Sequence, residues 1–295
     1  MHGRSPFGFL IDKVCSVQQT GVVDGGGKRV IRAKLCILLP VLNEIDNIDR
    51  VIAGIHTAIP GEEYVICLVD DGSRDGTIEF IQAAMQKADH RLHLIQRKKI
   101  MRGSQRGSAL FDAMMWALSK TNCRFIVEMD GDLSHRPEEL GHGLALLEAR
   151  AADVVVASKY LPGSLVTNRP VGRLLVSRVC NFAVRLLISN HISDYSNGYR
   201  FYTREAALRV AETHIVYASP VYLTEVMAIW LSHGLRISEF PSHYVGRNEG
   251  LSKLRVIDLM KASVGIFEVA SRLHLRGFSP TDRTAVGTIS KSAGT

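Results

Sequence analysis

A chain of 295 residues that is 46% hydrophobic and 22% charged is too apolar for a disordered polymer and long enough to close a large core. Lys and Arg outnumber Asp and Glu by 36 to 29, a net charge of +7, so an anionic partner is expected, with nucleic acid, a phosphorylated substrate and a membrane surface all open. The five cysteines (Cys15, Cys36, Cys67, Cys123, Cys180) are odd in number, scattered and free of CxxC spacing. They read as reduced core thiols of a cytosolic protein rather than disulfides or zinc ligands.

Residues 1–32 carry GVVDGGGKRV and little periodicity, the composition of a flexible lead-in. The opening MHGRSPFGFLIDKVC has too short an apolar stretch for a signal peptide, and no segment reaches about 18 apolar residues without a charge. Membrane-spanning helices are therefore not expected. From Leu35 the pattern becomes regular. LCILLPVLN (35–43) is a buried strand by its continuous apolar run, and IDNIDRVIAGIHTAI (45–59) spaces Ile45, Ile48, Ile52 and Ile55 as a helix does. Strand and helix then alternate: YVICLVD (64–70), TIEFIQAAMQKA (77–88), RLHLIQ (91–96), SALFDAMMWALS (108–119), CRFIVEMD (123–130), PEELGHGLALLEA (137–149) and ADVVVAS (152–158). Such alternation predicts an α/β fold with a mostly parallel, doubly wound sheet.

Ligands of such sheets bind beyond the carboxyl ends of the strands, where this chain carries Asn43 and Glu44, Asp70 and Asp71, and Asp130 and Asp132. The glycines of LVDDGSRDGT fit neither the GxxxxGK[ST] nor the GxGxxG phosphate loop, so its acids await another ligand. Capping of the following helices is the competing reading. Asp75 is such a cap, and Pro137 with Glu138 and Glu139 forms an ordinary first helical turn. Asp130 and Asp132, with one small residue between them, suit a hard cation, Mg²⁺ or Mn²⁺, completed by substrate phosphates.

Beyond residue 160, RLLVSRVCNFAVRLLISN (173–190) and LRVIDLMKASVGIFEVASRLHLRGF (254–278) are amphipathic helices bearing Arg173, Arg178 and Arg185, and Arg255, Lys261, Arg272 and Arg276. They fit a membrane interface or a surface packed on the core with its charges in water. From Ser279 the Ser/Thr/Gly-rich tail is expected to be disordered.

Taken in order, ILLPVLNEIDNI, VDDGSRDGT, MDGDLSHRPEEL, VVVASKYLPGS, DYSNGYRFYTRE and RNEGLSKL resemble the successive motifs of the inverting family 2 glycosyltransferases with the GT-A fold, and within them the dolichol-phosphate mannose synthase group. The resemblance covers about residues 35–275. It implies a catalytic domain over 33–253, an interface helix over 254–278 and a tail over 279–295. Asp71 would read the nucleotide base, with Pro40, Asn43, Glu44, Gly107 and Lys159 also around the nucleotide sugar. Asp130 and Asp132 would hold Mg²⁺ or Mn²⁺, Ser196 and Arg200 would bind the acceptor phosphate, and Arg247 and Lys253 would close over the phosphates. Four departures stand out: Ser134 where Gln is common, Lys159 where Arg is usual, Asn197 as an extra residue before Gly198, and Gln105-Arg106-Gly107 in place of GLGxA. The implied acceptor is a polyprenyl phosphate, reached by peripheral attachment at the cytoplasmic membrane face, with or without an accessory membrane subunit. A lipid phosphate is already an anionic nucleophile, whereas a soluble alcohol acceptor would need a general base, for which Glu225 is the candidate; otherwise Glu225 is a structural acid near a helix terminus. A nucleic-acid module is not expected: aromatics make up only 7% and no RRM-like or helix-turn-helix pattern appears.

Overall fold

The computed structural model describes residues 22–23, 29–87, 91–97, 105–246, 256–275 and 286–288. Val22–Val23 (β1) and Arg29–Val30 (β2) pair antiparallel ahead of the main sheet. Otherwise the expected lead-in, and the expected tail after 279 apart from Val286–Thr288, lie outside the described residues.

Strand β3 (Leu35–Val41) is buried at every position but Pro40, and β4 (Tyr64–Asp70) at every position. A run apolar on both sides can only sit between two layers of helices. The two strands pair in parallel, Leu35 opposite Tyr64 through Val41 opposite Asp70. Strand β5 (Leu92–Gln96) joins β4, and β6 (Phe125–Glu128) joins β3, both in parallel. Strand β7 (Val154–Ser158), a short pair β8 (Leu165–Thr167) with β11 (His243–Val245), β9 (Arg200–Thr203), β10 (Ile237–Pro241) and β12 (Val286–Thr288) complete the described strands. The main sheet runs β12-β10-β7-β9-β6-β3-β4-β5 and is parallel except for β9, which lies antiparallel between β6 and β7.

Alternate residues of each strand feed two cores, as the period of two requires. Leu35, Ile37, Leu39, Ile66 and Leu68 pack toward α1 (Ile45–Ala58), α2 (Thr77–Gln86) and α4 (Leu140–Glu148), the last preceded by a 3-10 turn at Pro137–Glu139. On the opposite face Cys36, Leu38, Cys67 and Ile126 pack toward α3 (Arg106–Lys120), α6 (Arg204–Ala211), α7 (Tyr222–Ser232) and α8 (Val256–Leu275). Helix α5 (Val171–Leu187) contacts α8 and buries Val184 in this second core. Cys36, Cys67 and Cys123 are buried free thiols, as their apolar settings predicted.

This is the mostly parallel α/β sheet that the strand–helix alternation predicted. The sequence pattern left β8, β9, α6, α7, β10 and β11 unassigned, and two of these show why. Helix α7 is buried from Tyr222 to Leu231, so it has no polar face to generate a 3.6-residue period. Strand β9 is only four residues long, between the polar DYSNG loop and α6, below what alternation can register.

Candidate functional site

Because β9 runs against its neighbours, its N-terminal end meets the carboxyl ends of β3, β4, β6 and β7 along one edge of the sheet. The strand ends and loops at this edge hold Pro40, Asn43, Glu44, Asp71, Asp130, Asp132, Lys159, Ser196 and Arg200 of the sequence-predicted site residues. At the end of β4 the two adjacent acids divide the work. Asp70 is buried and turns back on its own loop: Oδ2 accepts from the N–H groups of Gly72 (2.7 Å) and Ser73 (3.1 Å), with Gly72 at a φ of +92°. That turn aims Asp71 outward. The neighbouring β3 loop is stitched to it. Asn43, itself at φ +55°, donates its N–H to Ser73 Oγ (2.8 Å) and accepts from Arg74 N–H through Oδ1 (2.8 Å). Glu44 is buried, donates its N–H to Thr77 Oγ1 (2.9 Å) and accepts from Asn47 (2.9 Å). Asp75 accepts from the N–H groups of Ile45 and Thr77 (3.1 Å each), capping two helices together. Asn43 and Glu44 thus tie the β3 and β4 loops together, and Pro40 is a half-buried strand residue beside Val69.

Asp71 is held by a residue the motifs did not single out. Arg97, one position past β5, brings Nε and Nη2 each to 2.7 Å from Asp71 Oδ1. Burial pushes the Asp71 carboxyl above its ordinary value, and Arg97 opposes that.

After β6, Asp130 forms an ion pair with Arg106 at the start of α3, with Nε at 2.8 Å and Nη2 at 2.6 Å from Oδ1. Burial works against the Arg106 charge, but Asp130, Glu128 and Asp132 hold its pKa above the usual value. Gly198 makes room for this guanidinium: a Cβ there would lie 1.9 Å from Arg106 Nη2. Asp132 is half-buried and accepts from Ser134 N–H (3.0 Å), across Leu133 at φ +61°. His135 accepts from Asp130 N–H at Nδ1 (2.9 Å), so its proton resides on Nε2, which donates to Asn197 Oδ1 (2.9 Å). Burial keeps the ring neutral. Asn197 also donates to Ala157 O, so the supposed extra residue is a buried bridge between the acidic loop, β7 and the β9 loop.

The β9 loop is organised by Asp194, which is fully buried. Its Oδ1 accepts from Ser196 N–H (2.9 Å), Ser196 Oγ–H (2.8 Å) and Asn197 N–H (3.0 Å); its Oδ2 accepts from Lys159 N–H (3.0 Å) and lies 3.2 Å from Lys159 Nζ. Burial opposes the charge, yet Lys159 and these donors hold the carboxyl below the usual range. Lys159 Nζ also reaches Ser196 Oγ (3.4 Å) and lies 5.3 Å from the centre of the Tyr244 ring, which Arg169 approaches at 5.5 Å. Arg169 was missed from the sequence, as no motif contains it.

One sequence assignment requires correction. Arg200 is fully buried, donating to Asn197 O (2.9 Å), Tyr195 O (2.9 Å) and Leu223 O (2.7 Å), so it braces the β9 loop from beneath and is not presented to an acceptor phosphate. At Gly107 a Cβ would come within 2.5 Å of Tyr222 Cβ, so this glycine permits α3 to start against α7. Glu225 accepts from the N–H groups of Val216 and Tyr217 (3.0 Å each) and from Arg272 (3.3 Å), a structural acid anchoring α8. Arg247 and Lys253 lie outside the described residues.

Among the described residues no group of three or more His, Cys, Asp or Glu side chains would hold a metal ion unaided. Asp130, paired with Arg106, and Asp132, which accepts from Ser134 N–H, are the carboxylates at this edge whose chemistry would suit a hard cation completed by diphosphate oxygens. Helix α5 turns an apolar side outward: Val171 (81% exposed), Leu175, Val179, Phe182 and Leu186 (70%) share it, and Val264 and Phe267 of α8 are exposed likewise. No helix among the described residues is long and apolar enough to cross a membrane.

Acids and buried cations gathered at the carboxyl edge of a mostly parallel α/β sheet mark the place where ligands of such sheets bind. The family model for glycosyl transferase family 2 matches residues 36–210, and the chain belongs to that family of glycosyltransferases. It is 31% identical over 241 residues, 81% of this chain and 88% of the relative, to the polyprenol monophosphomannose synthase of Mycolicibacterium smegmatis. It is 30% identical over 225 residues, 75% of this chain and 87% of the relative, to the undecaprenyl-phosphate mannosyltransferase of Micrococcus luteus. Among solved structures, glucosyl-3-phosphoglycerate synthase from Mycobacterium tuberculosis with Mn²⁺, UDP-glucose and phosphoglyceric acid has a TM-score of 0.60 at 18% identity, covering 81% of this chain and 80% of that one, a likeness of fold.

Proposed function

We propose that this glycosyltransferase moves mannose from a nucleotide sugar, GDP-mannose or a UDP-sugar, to a polyprenyl phosphate at the cytoplasmic face of a membrane, with inversion at the anomeric carbon. The observation that carries the lipid acceptor is the outward apolar side of α5, which begins two residues after Arg169 and beside the Lys159–Asp194 pair. An amphipathic helix whose bulky residues face solvent is stabilised by inserting them into the headgroup boundary, and Arg178 beside them suits anionic lipid. The two mannosyltransferase relatives support the same reading.

In this reading Asp71 accepts hydrogen bonds from base N–H groups. Asp130 and Asp132 would hold Mg²⁺ or Mn²⁺, which would supply charge neutralisation to the leaving diphosphate. Lys159 and Arg169 attract the acceptor phosphate, with Arg247 and Lys253 as further cations for the donor phosphates. Because the acceptor oxygen is already anionic, no general base is needed. The engagement of Glu225 with two backbone N–H groups and Arg272 argues against an alcohol acceptor activated by that residue. An accessory membrane subunit would add to the hold of α5 and is not required by the chemistry.

The test is transfer of radiolabelled sugar from GDP-mannose and UDP-glucose to a short polyprenyl phosphate, with Mn²⁺ or EDTA, for the native protein and Asp132→Ala. Metal-dependent formation of a lipid-phosphate sugar, lost in the variant, is expected. Transfer to soluble alcohols without lipid would overturn the reading. Changing Leu175, Val179 and Phe182 together to Ser should release the protein from anionic vesicles; undiminished binding would remove the membrane face from α5.

A further inference from the structure

Arg97 is more than a partner of Asp71. Its Nη1 donates to Asp112 Oδ2 (2.7 Å) and Ser108 Oγ (3.0 Å), and its Nη2 donates to Gln105 O (3.3 Å), beside the two contacts to Asp71 Oδ1. All three guanidinium nitrogens are therefore engaged, leaving Arg97 with nothing to offer a ligand. Both of its contacts to Asp71 fall on the same oxygen. Among the described residues no hydrogen bond reaches Asp71 Oδ2.

We infer that Asp112, acting through Arg97, is a positioning residue for nucleobase recognition by Asp71. The inference rests on the reading of Asp71 as the base acceptor. Asp112 lies on α3, 41 positions beyond Asp71 in the sequence, and belongs to no motif that singled out the site. Two effects follow from the geometry. The planar guanidinium, fixed on one side by Asp112 and Ser108, locks the Asp71 carboxylate so that Oδ1 faces inward and Oδ2 faces the ligand. One cation shared by two carboxylates also leaves net negative charge on the pair, which keeps Oδ2 a strong acceptor. Without Asp112 the Arg97 charge falls on Asp71 alone, and the guanidinium plane is free to swing.

The test uses the full chain with Asp112→Asn, Asp71→Asn and the double variant, titrated calorimetrically with GDP and UDP and with inorganic pyrophosphate. For the nucleotide that the native protein prefers, Asp112→Asn should weaken binding about tenfold. Its pyrophosphate affinity should stay unchanged, and in turnover the donor KM should rise while kcat holds. The double variant should bind no worse than Asp71→Asn, since Asp112 acts only through Asp71. Equal losses for nucleotide and pyrophosphate, or additive losses in the double variant, would overturn the inference by showing general damage to α3. Undiminished nucleotide binding by Asp112→Asn with weakened binding by Asp71→Asn would reject Asp112 and keep Asp71. Unchanged binding by Asp71→Asn would instead reject the base-acceptor reading.

Discussion

Replacing Asp194 by Asn removes one charge from the most heavily engaged carboxylate at the sheet edge. The side chain has the same size, so the loss comes from chemistry and not from a cavity. If the Asn oxygen keeps the Ser196 and Asn197 donors, its NH₂ must face Lys159 N–H and Nζ, donor against donor. The buried Lys159 N–H then lacks an acceptor, at a cost of about 1–3 kcal/mol. The Lys159 ammonium, 4% exposed, loses its counterion, for which breaking a buried pair costs about 3–5 kcal/mol. Lys159 can escape part of this by releasing its proton, because burial already lowers its pKa. A net loss of about 4 kcal/mol at pH 7 is expected, a large fraction of the ~5–15 kcal/mol that holds a domain folded. Urea unfolding of Asp194→Asn, Lys159→Met and the double variant measures it. The double variant should recover part of the loss, since the stranded charge is gone. A single-variant cost below about 1 kcal/mol, or a double variant worse than Asp194→Asn, would refute this account of the pair.

Gly198→Ala should sever Arg106 from Asp130, because the new Cβ takes the space of the guanidinium, and should destabilise the protein by about 1–3 kcal/mol. Adding Arg106→Met should rescue the folding loss, which thermal unfolding of the three variants will read. Stability against pH should carry two opposing slopes. His93, buried and stacked on Trp116, has its pKa lowered to about 4, mainly by burial, so its contribution is full above 6.5 and is lost as pH falls toward 4. Each such shift of two to three units corresponds to about 3 kcal/mol. Glu239 is raised to about 7, mainly by burial, so its contribution is full below 4.5 and is lost as pH rises through 7. Urea midpoints across pH 4–7 should therefore slope downward with rising pH in His93→Phe and upward in Glu239→Gln. Parallel profiles would show that neither group titrates as its surroundings require.

The relation between sequence and fold is clearest at β3 and β4. Their runs of apolar residues indicated a sheet buried on both faces, and the residues that end β4 and follow β6 placed Asp70 and Asp71, and Asp130 and Asp132, at its carboxyl edge. Asp75 as a cap and the core cysteines were legible for the same reason: each rests on chemistry within a few residues. Other roles rest on partners far along the chain. Arg97 meets Asp71 and Asp112, Arg106 meets Asp130 across Gly198, and His135 meets Asn197 62 positions away. Arg200 carries a family motif residue yet donates to three backbone carbonyls, because β9 is inserted antiparallel and buries its first residue between β6 and β7. The amphipathic pattern of α5 permitted either orientation, and the packed helix has its apolar side outward. Periodicity reports which residues share a face. Only the assembled sheet and its covering layers establish what that face meets, since ion pairs and burial are formed by groups that the chain brings together from a distance.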